Sequence, residues 1–172
     1  MIPKIKRILY ATDLTKTSAY AFFYAIDMAK KYKAKIVILH SIGEIRYLED
    51  DVTFIQIEEI LRKAKDDERK ENIKEIIKRL EVFCKRSEIQ IGKPCVELVS
   101  KILVTVGHPV EEILRTADKE KCDTIVLGTH GKGFLRQTFL GSVAGSVLER
   151  TRKPVFVIPL PSEKTDIDWG KL

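Results

Sequence analysis

The stretch that most narrows the fold is Lys35-Ile36-Val37-Ile38-Leu39-His40, whose four central residues are all apolar. A strand with one face in water alternates apolar and polar side chains, so a run without alternation belongs to a strand covered on both faces. Residues 5–12 (IKRILYAT), 124–127 (TIVL) and 154–159 (PVFVIP) are similar short runs. Residues 96–106 supply a further strand, with an irregular start around Ser100-Lys101. Between these runs the period changes to that of a helix. Phe22, Ala25, Ile26 and Ala29 form one such repeat; Ile73, Ile76, Ile77, Leu80 and Phe83 form another. Val110, Ile113, Leu114 and Ala117 line a third, and Val143, Ala144, Val147 and Leu148 a fourth. Ile57, Ile60, Leu61 and Ala64 predict a separate short helix ahead of the one at Ile73. Gly92-Lys93-Pro94 breaks the helical pattern, and Pro109 suits a first helical position. Strands alternating with helices give an α/β fold, a parallel sheet wrapped on both faces by right-handed crossovers.

At 172 residues the chain is long enough for one domain with a full core. Residues 1–160 are expected to form that domain and residues 161–172 a polar tail. The net charge of +6 comes from cations interleaved with acids, as in Lys65-Asp66-Asp67-Glu68-Arg69-Lys70. That pattern reads as a solvated surface and argues against nucleic acid as the partner. Cys84, Cys95 and Cys122 are odd in number and widely spaced, which speaks against a disulfide framework or a structural zinc site. No cleavable apolar leader follows Met1, and no apolar run is long enough to span a bilayer. The expectation is a soluble, cytoplasmic protein.

In a doubly wound sheet, ligands sit beyond the carboxyl ends of the strands, where the winding direction reverses. Three candidates lie at such ends: Asp13 after the first strand, Ser41 after the second, and a glycine loop after the fourth. The loop holds Gly128, Gly131, Gly133, Lys132 and Arg136 and closes on Gly141-Ser142 at the start of a helix. Strand, glycine loop and helix N-terminus in that order suit an anion, because unpaired N–H groups and the helix dipole converge there. The loop is neither G-x-x-x-x-G-K-[ST] nor G-x-G-x-x-G. It reads Gly128, two residues, Gly131, nine residues, Gly141-Ser142.

That spacing, G-2x-G-9x-G-[ST], closely resembles the ATP-binding branch of the universal stress protein family, and the likeness extends over residues 5–159. The resemblance implies an open five-stranded parallel sheet in the order 3-2-1-4-5. It also implies a homodimer paired through the last strand, at Val155-Phe156-Val157-Ile158. Ala11-Thr12-Asp13 stands where the family holds the nucleoside end of ATP, although Asp13 has an ordinary reading as a turn or capping residue. Ser41 would meet adenine through its backbone. Gly128, Gly131 and Gly141 would admit the phosphates, and Ser142 would face them as well as cap the helix. Thr129, Val143 and Ser146 are lesser additions. His130 sits within the loop as a phosphate contact with no catalytic part implied, while His40 and His108 read as structural. Lys132 and Arg136 either raise the local potential or are solvated. The ligand would be ATP, with ADP or AMP as alternatives, and Mg²⁺ or Mn²⁺ would arrive on its phosphates.

The chain departs from the family pattern in the charged segment 44–70 and in the tail. The function implied is regulatory: nucleotide-dependent conformation or partner binding in a stress response, with an unidentified protein partner. A rival is an ATP pyrophosphatase carrying S-G-G-x-D-S after strand one, but Ala11-Thr12-Asp13-Leu14-Thr15-Lys16 lacks those glycines. A slow ATPase or phosphotransferase, or an interaction module without nucleotide, remains as the alternative.

Overall fold

The structure, a computed structural model, describes residues 2–43, 55–92, 97–129 and 140–159. Its elements are β1 (Arg7–Ala11), α1 (Lys16–Tyr32), β2 (Lys35–Ile42), α2 (Ile55–Ile91) and β3 (Val99–Val106). They continue with α3 (Pro109–Lys119), β4 (Thr124–Gly128), α4 (Ser142–Arg150) and β5 (Val155–Ile158). All strand pairs are parallel and the order is β3-β2-β1-β4-β5, as the family resemblance implies. The chain starts at the centre of the sheet, winds outward to β3, then crosses back to β4 beside β1. The winding therefore reverses between β1 and β4.

Two cores account for the runs without alternation. Ile8, Tyr10, Ile36, Ile38 and Val126 face Phe22, Ala25, Leu80 and Phe83 of α1 and α2. Leu9, Val37, Leu39, Ile125 and Leu127 face Val110, Ile113, Ala144 and Val147 of α3 and α4. Neighbouring residues of one strand thus enter opposite cores, and both must be apolar.

α1 begins where Thr15 caps it, its Oγ1 accepting from the Ser18 N–H at 3.4 Å. It ends on Lys33 in the left-handed region, φ 54°. α2 corrects the expectation of two helices, because a single helix runs through 37 residues. The apolar repeat lapses between Ala64 and Ile73, but no Gly or Pro lies there and Lys, Arg and Glu sustain a helix. Asp66 to Asn72 are all exposed, with ion pairs Lys70–Asp67 and Lys74–Glu71 along the helix. From Ile73 onward one face turns inward and buries Leu80 and Phe83. Gly92 ends the helix at φ 67°, a conformation that glycine adopts without strain. β3 opens on a bulge: its register against β2 slips between Val99 and Lys101, and the Ser100 hydroxyl donates to the Ile36 carbonyl at 3.1 Å.

Candidate functional site

A cavity of about 270 Å³ opens at the carboxyl end of the sheet, at the β1/β4 reversal. The β1–α1 junction gives it Ala11, Thr12, Asp13 and Ser18. β2 contributes Leu39 and Ser41, and the start of α3 contributes Pro109 and Ile113. β4 with its following residues and α4 close it with Leu127, Gly128, Thr129, Gly141, Ser142, Val143 and Ala144. Nine residues singled out in the sequence are therefore brought together here: Ala11, Thr12, Asp13, Ser41, Gly128, Thr129, Gly141, Ser142 and Val143. His130 and Gly131, with Lys132, Gly133 and Arg136, lie outside the described residues, as do Cys95, segment 44–54 and the tail 161–172.

Asp13 holds its own turn. Its Oδ1 accepts from the Thr15 N–H at 3.0 Å and from the Thr15 hydroxyl at 2.6 Å. The ordinary turn role is thus real, and the carboxylate also forms part of the cavity wall. Beneath it, the Tyr10 hydroxyl donates to the Ser18 carbonyl at 2.6 Å. Burial pushes that phenol far above its usual range, so it stays a neutral donor. The Ser41 hydroxyl is spent on the Gly107 carbonyl at 3.0 Å.

The glycines have more specific reasons than access for an anion. A Cβ at Gly128 would stand 2.8 Å from Thr17 Cγ2, so glycine is what lets the end of β4 lie against the first turn of α1. Gly141 closes the loop after β4, its N–H donating to the Thr129 carbonyl at 2.6 Å. Gly141, not Ser142, is the N-cap of α4, with φ −63° and ψ 155°. This corrects the capping role expected of Ser142: it is the first helical residue, because the chain turns helical one position later than the hydroxyl signal implies.

Three helix N-termini reach the cavity, and they differ electrostatically: that of α1, at Ser18, is already capped by the Thr15 hydroxyl. α3 begins with Pro109, which has no N–H, and carries Glu111 and Glu112 in its first turn. Those carboxylates offset its positive end. The Arg150 side chain beside Glu111 holds that carboxyl below its usual range and ties α3 to α4 at 2.6 Å. α4 has no acidic residue in its first turn and no side-chain cap. Its first intrahelical bond runs from the Gly145 N–H to the Gly141 carbonyl, leaving the N–H groups of Ser142, Val143 and Ala144 without intrahelical partners. All three residues line the cavity, so the anion-seeking end is that of α4.

Sequence reasoning missed Ser18, Leu39, Leu127 and Ala144, which read only as turn or core residues, and missed the contribution of α3 altogether. Pro109 was legible as a helix start, but that α3 packs over β1 and β2 depends on the crossover. Among the described residues Asp13 is the one ionisable side chain of the wall. No group of three or more His, Cys, Asp or Glu among the described residues could hold a metal ion.

The pattern of the universal stress protein family matches residues 4–159. Universal stress protein MJ0577 of Methanocaldococcus jannaschii is 33% identical over 156 residues, covering 89% of this chain and 94% of the relative. The solved structure of MJ0577 matches with a TM-score of 0.64 at 26% identity, over 94% of this chain and 100% of that one. A universal stress protein in complex with cAMP has the same fold, with a TM-score of 0.57 at 18% identity over 92% of this chain and 100% of that one. So does one from Archaeoglobus fulgidus in complex with dAMP, with a TM-score of 0.50 at 19% identity over 90% and 97% of the two chains. Spacing of the glycine motif, strand order and these likenesses agree, and the chain belongs to the universal stress protein family.

Proposed function

We propose that this protein binds an adenine nucleotide, ATP in the first instance, and acts in a stress response through nucleotide-dependent conformation or partner binding. The observation that carries the reading is the convergence on one cavity of Asp13, the end of β2 and the uncapped N-terminus of α4. Asp13 with the apolar surfaces of Leu39 and Ile113 suits a nucleoside. The α4 N–H groups suit phosphate oxygens. The relatives bound to cAMP and dAMP support an adenine ligand in this family. The volume lies near the lower bound of ligand clefts, about 300–1,000 Å³. The described wall offers shape and hydrogen bonds, with Asp13 as its one ionisable side chain. Mg²⁺ or Mn²⁺ would ride on the phosphates, completed by water.

The same reading includes a cytoplasmic homodimer paired through β5, built on a nucleotide-binding domain at residues 1–160 and a tail at 161–172. Two contrasting sheet edges support the pairing. β3 carries a bulge and the exposed Lys101, devices that discourage edge pairing, whereas β5 has no charge and exposes Phe156.

The first test is to denature freshly purified protein and identify any released small molecule. ATP or ADP near one per chain is the expected result; an empty protein that also ignores titrated ATP refutes the reading. Ser142→Pro sharpens the test. Proline suits the first helical position and Gly141 already has an extended ψ, so the helix survives while the Ser142 N–H and hydroxyl are lost; Ser142→Ala, which loses the hydroxyl alone, isolates the N–H. Relative to Ser142→Ala, nucleotide affinity should fall about ten- to a hundredfold with unfolding stability unchanged, the equilibrium weight of one hydrogen bond to a charged group. A time course of ADP release with and without Mg²⁺ separates a binder from a slow ATPase.

A further inference from the structure

Thr12 joins β1 to the turn that carries Asp13, and each of its polar groups is held. Its N–H donates to the Leu39 carbonyl at 2.9 Å. Its Oγ1 accepts from the Leu14 N–H at 3.1 Å and donates to Ser18 Oγ at 3.0 Å. Its carbonyl meets Nδ1 of His40 at 2.8 Å. A carbonyl only accepts, so Nδ1 carries the proton. His40 lies on β2 beside Leu39 and Ser41, which line the cavity, yet successive residues of a strand face opposite ways. It shares the face of Ile36 and Ile38, packed toward α1 and α2, and is not part of the cavity wall.

We propose that His40 is a positioning residue for the nucleotide site: by holding the Thr12 carbonyl it fixes the peptide from which Asp13 projects. The turn needs an outside hold because Leu14 sits at φ 64°, a region that a residue with a branched side chain enters only under constraint. Asp13 Oδ1 is bound to Thr15 within the same turn, so the carboxylate moves with the turn as a unit. Among the described residues no donor engages Oδ2, which leaves that oxygen for a ligand. A carboxylate whose support is loosened loses the preorganisation on which its contribution to affinity depends. The affinity part of this inference rests on the nucleotide reading above, whereas the hold on the turn does not.

Three variants test it. His40→Asn carries an amide nitrogen at the place of Nδ1, His40→Gln carries one at the place of Nε2, and His40→Leu keeps bulk with neither. Adenine-nucleotide affinity should fall about tenfold in the Leu and Gln variants and stay within about threefold of the parent in Asn, the weight of one hydrogen bond. Hydrogen exchange of the Leu14 and Thr15 amides in nucleotide-free protein should quicken in Leu and Gln but not in Asn. If Asn behaves like Gln in both measurements, the role is packing and the proposal is overturned. Unchanged exchange in all three variants also overturns it, whatever the affinities. If exchange follows the expected pattern while the parent chain binds no nucleotide, the hold by His40 stands and it is the nucleotide reading that fails.

Discussion

Gly128 offers a sharp test of why a glycine stands in the motif. An alanine there would place its Cβ 2.8 Å from Thr17 Cγ2, 3.3 Å from the Thr17 carbonyl carbon and 3.4 Å from the Ser18 nitrogen. The first distance is about 0.6 Å short of ordinary van der Waals contact. Thr17 cannot swing aside easily: it is β-branched, 8% exposed, and sits in the first turn of α1. The methyl must therefore push the helix start away from β4. Overpacking of this kind costs about 1–3 kcal/mol, and the close backbone contacts place Gly128→Ala near the middle, at about 2 kcal/mol. Thr17→Ser removes Cγ2 while keeping the hydroxyl, at a cost of about 1 kcal/mol for a lost buried methyl. If the clash is the cause, the double variant should be more stable than additivity predicts by about 1–1.5 kcal/mol. Urea unfolding of the four proteins, followed by far-UV circular dichroism with m-values compared, measures the coupling. A Gly128→Ala protein within about 0.5 kcal/mol of the parent, or strictly additive effects, would refute the packing argument. The glycine would then be required by the ligand alone.

Two further outcomes follow from electrostatics. Hydrogen bonds from Arg150 and Lys101 hold the Glu111 and Glu120 carboxyls below their usual range. A folded-state value below the unfolded one means stability that is present above the ordinary Glu value of about 4.3 and lost as pH falls through the lower folded value. The acid limb of the urea midpoint against pH should therefore flatten in a Glu111→Gln, Glu120→Gln double variant; an unchanged limb counts against both pairs. Burial pushes the Cys122 thiol up to about 11, so in a Cys95→Ser background it should label with iodoacetamide at pH 8 only after unfolding. Rapid labelling of Cys122 in the native protein, told apart from Cys84 by peptide mass, would contradict its placement in the core.

The same chemistry explains what could be read early and what could not. Residues 36–39 announce a strand covered on both faces because Ile36 and Ile38 enter one core and Val37 and Leu39 the other. The Gly128–Gly141 spacing, with Asp13 and Ser41 at strand ends, marked one wall of the cavity. The apolar repeats predict two helices where α2 is one, because an apolar repeat reports burial, while helix continuity needs only the absence of a breaker. A hydroxyl before an apolar run is the usual cap signal and points to Ser142, yet Gly141 takes that place.

Local chemistry in the sequence by itself determined the α/β class, the burial of both sheet faces and the family motif, since each rests on residues close together along the chain. Tertiary structure alone decided the rest. Pro109 and Ile113 join the cavity because α3 crosses back over β1 and β2. Gly128 must be glycine because Thr17, far off in sequence, lies against it. His40 matters because the Thr12 carbonyl, 28 residues away, ends within hydrogen-bond reach. Such contacts depend on where distant segments meet, and nothing local to either partner reports the distance between them.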